Sequence, residues 1–562
     1  MRHLRTELPI AWLAFAFLWG CGGLHESPQG PPGSTTKKDD WSFSPSSAED
    51  SRGNATPTLS AGPSTGAAAP TPTTPTNTGG TIGLAAGGAK DANNFRENIA
   101  NDYLPLTTDI TYEGVFYDYY FDTGARAPCP ALFCPSYAPM LSTDPLSQTQ
   151  EPYLSVGLNS GIKESDFARK RLNLVVVLDI SGSMGSAFNS YYYDQAGNQV
   201  ANTEDAGKSK MAIANESIVA MLGHLRAGDR FGMVLFDDTG YLAKPLSPVE
   251  DTDMQAIAGH ILDLEAMGGT NMEAGYKLGS AMLAELGAVD PANFEDRIIF
   301  LTDAMPNTGD ISADSLAGMV ASNALARIFT TFIGIGVDFN SSLIELLTKT
   351  KGANYYSVHG SQEFKERLDE EFDFMVTPLV FDLKLALQSD GLAIKEVFGS
   401  PEANLATGQL LFVNTLFPSK AEGGESKGGI ILALLERMSA ANEINLSASY
   451  EDRNGVAATN DSDFSYLAPL DQAPNLGIRK AVLLVRYVRL VKAWIVAERQ
   501  AAAAQAGATY GSEWERQSLP LVVSEPYRTQ FRAFASYFKT EMAAIGDEAL
   551  AQEAKILDRL AP

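Results

Sequence analysis

The sequence predicts an α/β fold: a doubly wound, mostly parallel sheet, flanked by a β-rich accessory module and closed by a helical C-terminal tail. Three observations carry that expectation. Between residues 171 and 377, short β-branched runs alternate with helical stretches, the pattern of an open sheet covered on both faces. Two of those runs, LNLVVVLD ending at Asp179 and RIIFLTD ending at Asp303, are almost continuously apolar, as central parallel strands are. After residue 377 the pattern returns to alternation in LVFDLKLALQS, GQLLFVNTLF, GGIILALLERM and EINLSASYE.

The elements are taken in chain order. Arg2 and Arg5 precede a compact apolar run from Leu8 to Trp19, too short to span a bilayer, which reads as the hydrophobic part of a secretion signal over 1–20. From residue 21 to 94, Gly, Pro, Ser, Thr and Ala dominate, as in PTPTTPTNTGGT. So few large apolar groups predict a flexible tether. The expected N-terminal part of the accessory module, 95–170, includes ITYEGVFYDYYFDTG, whose aromatics and alternation suggest a strand, and EPYLSVGLNSG.

Within 171–377, strands are expected at 172–178, 230–236, 241–245, 297–301, 328–334 and 354–357. Helices are expected at 211–225, 254–264, 273–286, 313–324, 341–349 and 362–374, with Asp369–Asp373 on an exposed face. The C-terminal part of the accessory module fills 378–473, and the helical tail runs from 474 to 562. In that tail RKAVLLVRYVRLVKAWIVAER carries Arg486, Arg489 and Lys492 on one side and Leu483, Tyr487, Leu490 and Trp494 on another. This is an amphipathic helix that packs on its own protein, not a membrane span.

Composition narrows the function. The 562 residues carry 42 Lys and Arg against 68 Asp and Glu, a formal net charge of -26. A nucleic-acid partner calls for a basic face, so none is expected. His3, His25, His224, His260 and His359 are scattered, with no zinc-like spacing to a cysteine. Three cysteines exclude a disulfide-rich scaffold.

The chemistry concentrates at two strand ends. In LDISGSM, Asp179, Ser181 and Ser183 stand at alternate positions of a turn just past a strand. Asp303 ends the second apolar run, and adjacent parallel strands bring it near Asp179. In MGGTNME, two glycines allow a tight turn before Thr270. Five oxygen donors thus converge with no imidazole or thiolate among them, which selects a hard divalent cation: Mg²⁺ foremost, with Mn²⁺ or Ca²⁺ as alternatives. Two carboxylates do not fully screen such a cation beside neutral hydroxyls, so an open position attracts a further anion. Asp237 and Asp238 sit in the turn after the second strand, a solvated hairpin turn foremost, with a second cation site as the alternative.

At these residues the sequence resembles the von Willebrand factor type A domain. The DISGS turn, the threonine of GGTN and the aspartate of LTDA match that family's metal-ion-dependent adhesion site, while Ala304 stands where the family often has glycine. The resemblance implies a non-enzymatic module that captures an Asp or Glu carboxylate of a protein partner through a cation on Asp179, Ser181, Ser183, Thr270 and Asp303. A Mg²⁺-dependent phosphotransferase similar to haloacid dehalogenases would use Asp179 as nucleophile, but the second aspartate it needs is Ser181 here. A third possibility is an envelope scaffold that binds through the accessory module or the tail.

Leu18-Trp19-Gly20-Cys21 resembles the lipobox of bacterial lipoproteins, apart from Trp19. It implies lipidation of Cys21 and contact with the membrane through that anchor only. Gly22 in place of aspartate points to the outer membrane of the cell envelope. The β flanks and helical tail resemble bacterial envelope lipoproteins carrying a type A domain. Cys129 and Cys134, in APCPALFCPSY, are either a small structural disulfide loop or two independent thiols. Roughly twenty residues inserted after the serines carry Tyr191, Tyr192 and Tyr193, a candidate partner-binding rim or a tolerated insertion.

Overall fold

A computed structural model describes residues 37–45, 80–89, 92–124, 131–187, 190–193, 199–201, 207–287, 290–303, 313–335, 349–358, 364–400, 410–465, 475–506 and 519–561. The chain enters through β1 (Thr81–Ala86) and β2 (Gly88–Ala89), then α1 (Asn93–Ala100) and α2 (Tyr112–Tyr117). Strands β3 (Tyr120–Phe121), β4 (Cys134–Thr143) and β5 (Gln150–Lys163) lead to β6 (Arg171–Asp179). A hairpin of β7 (Ser190–Tyr193) and β8 (Gln199–Ala201) precedes α3 (Lys210–Leu222), β9 (Arg230–Phe236) and β10 (Gly240–Pro248). Next come α4 (Met254–Leu262), α5 (Met272–Ala284), β11 (Phe294–Thr302), α6 (Ala313–Leu325), β12 (Ile328–Ile335) and β13 (Asn354–Val358). A π-helical turn (Glu366–Glu370) runs into α7 (Phe372–Met375).

The antiparallel part follows: β14 (Val380–Gln388), β15 (Leu392–Phe398), β16 (Leu410–Ser419), β17 (Ala421–Glu422), β18 (Glu425–Lys427), β19 (Ile430–Arg437), β20 (Glu443–Asp452) and β21 (Ala457–Ser465). Helices α8 (Leu476–Ala506), α9 (Glu525–Ile545) and α10 (Ala551–Leu560) close the chain.

The expected doubly wound sheet is present. Seven strands lie in the order β10-β9-β6-β11-β12-β13-β2, all neighbours parallel except the β9–β10 hairpin. In β6, Leu172, Leu174, Val176 and Leu178 point to the core shared with α3 and α4, while Val175 and Val177 point to the core shared with α5 and α6. Both faces of the strand are therefore dry, which is why its sequence does not alternate. The register pairs Leu178 with Leu301, so Asp179 lies beside Thr302 and one residue from Asp303.

The second sheet is antiparallel, in the order β15-β19-β5-β1-β16-β14-β20-β21, with β4 also on β5. One face of it forms a core of Leu154, Leu383, Leu411 and Leu446. On the other side the helical tail buries Trp494, Tyr487, Phe531 and Phe538 with α1 and α2. No helix among the described residues is long and apolar enough to cross a membrane. Arg486 is buried and reaches Glu151 at 2.9 Å, and Arg489 reaches the same carboxylate at 3.2 Å. Two arginines of the basic stripe of α8 thus share the Glu151 carboxylate of β5.

Three expectations are revised. The stretch 21–94 is not a tether throughout: β1 and β2 are strands, and residues 37–45 lie along the β10 edge. There, Ser42 N donates to Ala243 O at 2.8 Å, Trp41 stacks on His260 at 5.3 Å, and Phe43 enters the α3–α4 core. Average composition concealed two short apolar runs. The segment ITYEGVF is helix α2 rather than a strand: Thr111 caps it by accepting from Gly114 N at 2.9 Å, and residues on all sides are buried. The acidic run 369–373 is not simply exposed. Glu371 is buried, while Asp369 reaches His224 at 2.5 Å and Asp373 reaches Arg169 at 2.7 Å. Cys134, which opens β4, is in a disulfide, whereas Cys129 and Cys21 lie outside the described residues, as does the helix expected at 341–349 apart from its last residue.

Candidate metal centre

The carboxyl end of β6 delivers Asp179. Its Oδ1 accepts from the amide of Ser181 at 2.8 Å, which curls the chain back on itself, and a 3₁₀ turn (Gly182–Gly185) then presents Ser183. The two serine hydroxyls lie 3.0 Å apart, and Ser183 Oγ donates to Asp303 Oδ1 at 2.9 Å. Thr302, the last residue of β11, donates to Asp179 Oδ2 at 2.6 Å. Asp179, Ser181, Ser183 and Asp303 are therefore linked across two adjacent strand ends.

The loop bearing Thr270 is bonded to the same turn. Met267 N donates to Ile180 O at 2.5 Å and Gly182 N to Gly268 O at 3.0 Å. Gly268 has φ +71°, a left-handed conformation that suits glycine. On its other side the loop is held by the β9–β10 turn: Gly269 N donates to Asp238 Oδ2 at 3.0 Å, and Asn271 N donates to Asp237 O at 2.6 Å. Asp237 and Asp238 thus form the hairpin turn, but not a solvated one: Asp237 is buried and Asp238 half-buried, and both brace the threonine loop. Thr270 is buried within it.

Asp179, Ser181 and Asp303 are also buried, while Ser183 is half-buried. Burial, together with the neighbouring Asp303 charge, pushes the Asp179 carboxyl up to about 7, against the hydrogen bonds from Thr302 and Ser181 that favour its ionised form. Two carboxylates confined this way call for positive charge between them.

Part of that charge comes from a residue the sequence reading did not single out. Lys210, the first residue of α3, is buried and its Nζ lies 3.1 Å from Asp303 Oδ2. The insertion separates it from the DISGS turn by more than twenty positions, so spacing alone did not connect them. Ser209 caps the helix by accepting from Ala212 N at 3.1 Å, which fixes where Lys210 enters. Thr302 also went unnoticed, because its role depends on strand register. Of the candidate rim, the backbone of Tyr191, Tyr192 and Tyr193 forms strand β7, while their side chains lie outside the description. Ala304 also lies outside the described residues.

The donor set fits a hard divalent cation. Its carboxylate and hydroxyl oxygens suit Mg²⁺, Mn²⁺ or Ca²⁺, and the two acids are buried at adjacent strand ends. Asp179, Ser181, Ser183 and Asp303, with Thr270 alongside, would hold it.

Comparison with known proteins places this region. Residues 174–305 match the family described as von Willebrand factor type A domain. Among curated proteins, the chain is similar to inter-alpha-trypsin inhibitor heavy chain H1 of Mesocricetus auratus, 24% identical over 234 residues, covering 40% of this chain and 23% of that protein. Heavy chain H2 of Sus scrofa is also similar, 24% identical over 212 residues, covering 37% and 20%. The chain spans less than a quarter of the length of these relatives. Among solved structures, it is similar to a von Willebrand factor type A protein from Catenulispora acidiphila, with a TM-score of 0.41, 16% identity, and coverage of 66% of this chain and 81% of that one. It is also similar to the ArnB paralog VWA2 from Sulfolobus acidocaldarius, with a TM-score of 0.36, 13% identity, and coverage of 76% and 97%. Domains of this family are generally non-enzymatic and bind other proteins. The segment that carries Asp179 and Asp303 is a von Willebrand factor type A domain, set within a longer chain.

Proposed function

We propose that this chain is a divalent-cation-dependent, adhesion-type binding protein of the bacterial cell envelope. The observation that carries the proposal is the linked donor set at adjacent strand ends: Ser183 joins Asp303 at 2.9 Å and Ser181 at 3.0 Å, and the Ser181 amide joins Asp179 at 2.8 Å, with both carboxylates buried. Asp179, Ser181, Ser183, Thr270 and Asp303 hold the cation, Mg²⁺ foremost. When bound, the cation supplies an electrophilic anchor for an Asp or Glu carboxylate of a protein partner. The β7–β8 hairpin, inserted directly after the serine turn, contributes selectivity at the rim. A lipid on Cys21 holds the protein to the outer membrane, facing either the periplasm or the outside.

The test is a pull-down from detergent-solubilised envelope with the tagged full chain, in Mg²⁺ and in EDTA, beside Asp179→Ala. A partner lost under both EDTA and the substitution is the expected result. A partner retained under both moves the function to the β module or the helical tail and overturns the proposal.

A further inference from the structure

Lys210 places a fixed positive charge inside the cation site. Its ammonium is buried at 3.1 Å from Asp303 Oδ2, and Asp303 receives Ser183 on its other oxygen. Both Lys210 and Asp303 are almost fully withdrawn from solvent, at 1% and 0% side-chain exposure, so the pair is poorly screened. Breaking such a pair from either side leaves an uncompensated buried charge.

We propose that Lys210 is an affinity-setting residue of the metal centre, weakening the cation alone and strengthening the cation together with a partner carboxylate. This rests on the cation-binding reading above. With Lys210 present, the two aspartates leave the donor set one net negative charge rather than two. A divalent cation entering that set meets a nearby ammonium, and like charges within a few ångströms in a poorly hydrated site repel strongly. Once loaded, the same set carries one positive charge in excess, whereas without Lys210 it would be neutral. A partner's carboxylate then balances the site instead of overcharging it. Cation and partner are thereby coupled: each binds better in the presence of the other. The lysine also keeps Asp303 paired when no cation is present, so the empty site does not hold two uncompensated acids.

The probe is Mn²⁺, titrated calorimetrically into the full chain and its Lys210→Met, Lys210→Arg and Asp179→Ala variants. Acetate serves as the carboxylate, compared with chloride at equal ionic strength. Lys210→Met is expected to bind Mn²⁺ about tenfold more tightly or better than the wild type. Acetate is expected to tighten Mn²⁺ binding more in the wild type than in Lys210→Met. Lys210→Arg, which keeps the charge, is expected to stay near the wild type. Mn²⁺ affinity of Lys210→Met equal to or below wild type, with Asp179→Ala binding none, overturns the role of Lys210 and leaves the cation site standing.

Thermal melts separate the other failure. In EDTA, Lys210→Met is expected to melt below the wild type and to be rescued by Mn²⁺. A lowered melt without rescue, and no Mn²⁺ binding in any variant, overturns the cation reading itself and leaves Lys210 as a structural partner of Asp303.

Discussion

Thr302 Oγ1 sits 2.6 Å from Asp179 Oδ2, so the strand that leads to Asp303 also orients Asp179. Removing the hydroxyl leaves a fully buried carboxylate oxygen short of a donor. Thr302→Val is therefore expected to lower stability by about 1–3 kcal/mol and to weaken cation binding, while Thr302→Ser retains most of both. Urea unfolding in EDTA, followed by Mn²⁺ titration, checks the pair. An unchanged midpoint for the valine variant would show that Asp179 finds another donor.

Glu371 predicts a pH dependence. Burial raises its carboxyl, but Arg367, Lys427 and Lys420 more than reverse this and lower it to about 2. Tyr117 OH also donates to Glu371 at 3.2 Å, and Lys427 Nζ lies at 2.8 Å. A carboxyl depressed in the folded state adds stability above its unfolded value of 4.5, and that stability is lost as pH falls from there toward 2. Acid unfolding curves of wild type and Glu371→Gln should diverge at neutral pH and converge as pH falls below about 4. Parallel curves across that range would exclude Glu371 as the source.

The segment at 37–45 gives a third expectation. Phe43 packs against Tyr241 at 5.4 Å, Asp40 accepts from Lys244 Nζ at 3.2 Å, and Lys38 N donates to Asp251 O at 2.9 Å. The double substitution Trp41→Ala and Phe43→Ala is expected to reduce stability by about 3 kcal/mol, since each ring fills space that alanine leaves empty. Limited proteolysis provides the local check: cleavage within 37–45 should become faster in Asp40→Ala, which keeps the aromatic rings. Equal cleavage rates would mean that the ion pair does not hold the segment.

Replacing Tyr191, Tyr192 and Tyr193 by serine tests the rim. Cation affinity and melting temperature should stay near wild type, because the tyrosines are not among the proposed cation donors. Affinity for the captured partner should fall at least tenfold if tyrosines carry the contact. Unchanged partner affinity assigns the hairpin no role in recognition.

The parallel sheet was readable because its central strands are buried on both faces and alternate with helical stretches. The meeting of Asp179, Ser181, Ser183 and Asp303 was readable because adjacent parallel strands bring their carboxyl ends to one edge of such a sheet, and the structure joins all four. Lys210 and Thr302 were not, since one is separated by an insertion and the other acts through register between strands far apart in sequence. Strand β21 was missed for a different reason. Its residues AATNDSDFS alternate exposed and half-buried on an outer edge of the sheet, so no apolar run announces it. Strand β1 was missed because TIGLAA is small and sits in a Gly- and Thr-rich neighbourhood, although five of its six residues are buried.

Gly87 alone separates β1, which pairs with β5 and β16 in the antiparallel sheet, from β2, which pairs with Asn354 and Tyr355 of the parallel one. At the far end, α7 stops at Met375 and β14 begins at Val380. The domain that carries Asp179 and Asp303 is therefore not a cassette that can be lifted out between two linkers. A graft of 171–377 would lose the strand that covers β13 and the aromatic segment that lines β10, leaving two raw edges able to pair with other chains. Moving this domain into another protein would have to carry its upstream strand along, because one short stretch of chain contributes a strand to each sheet.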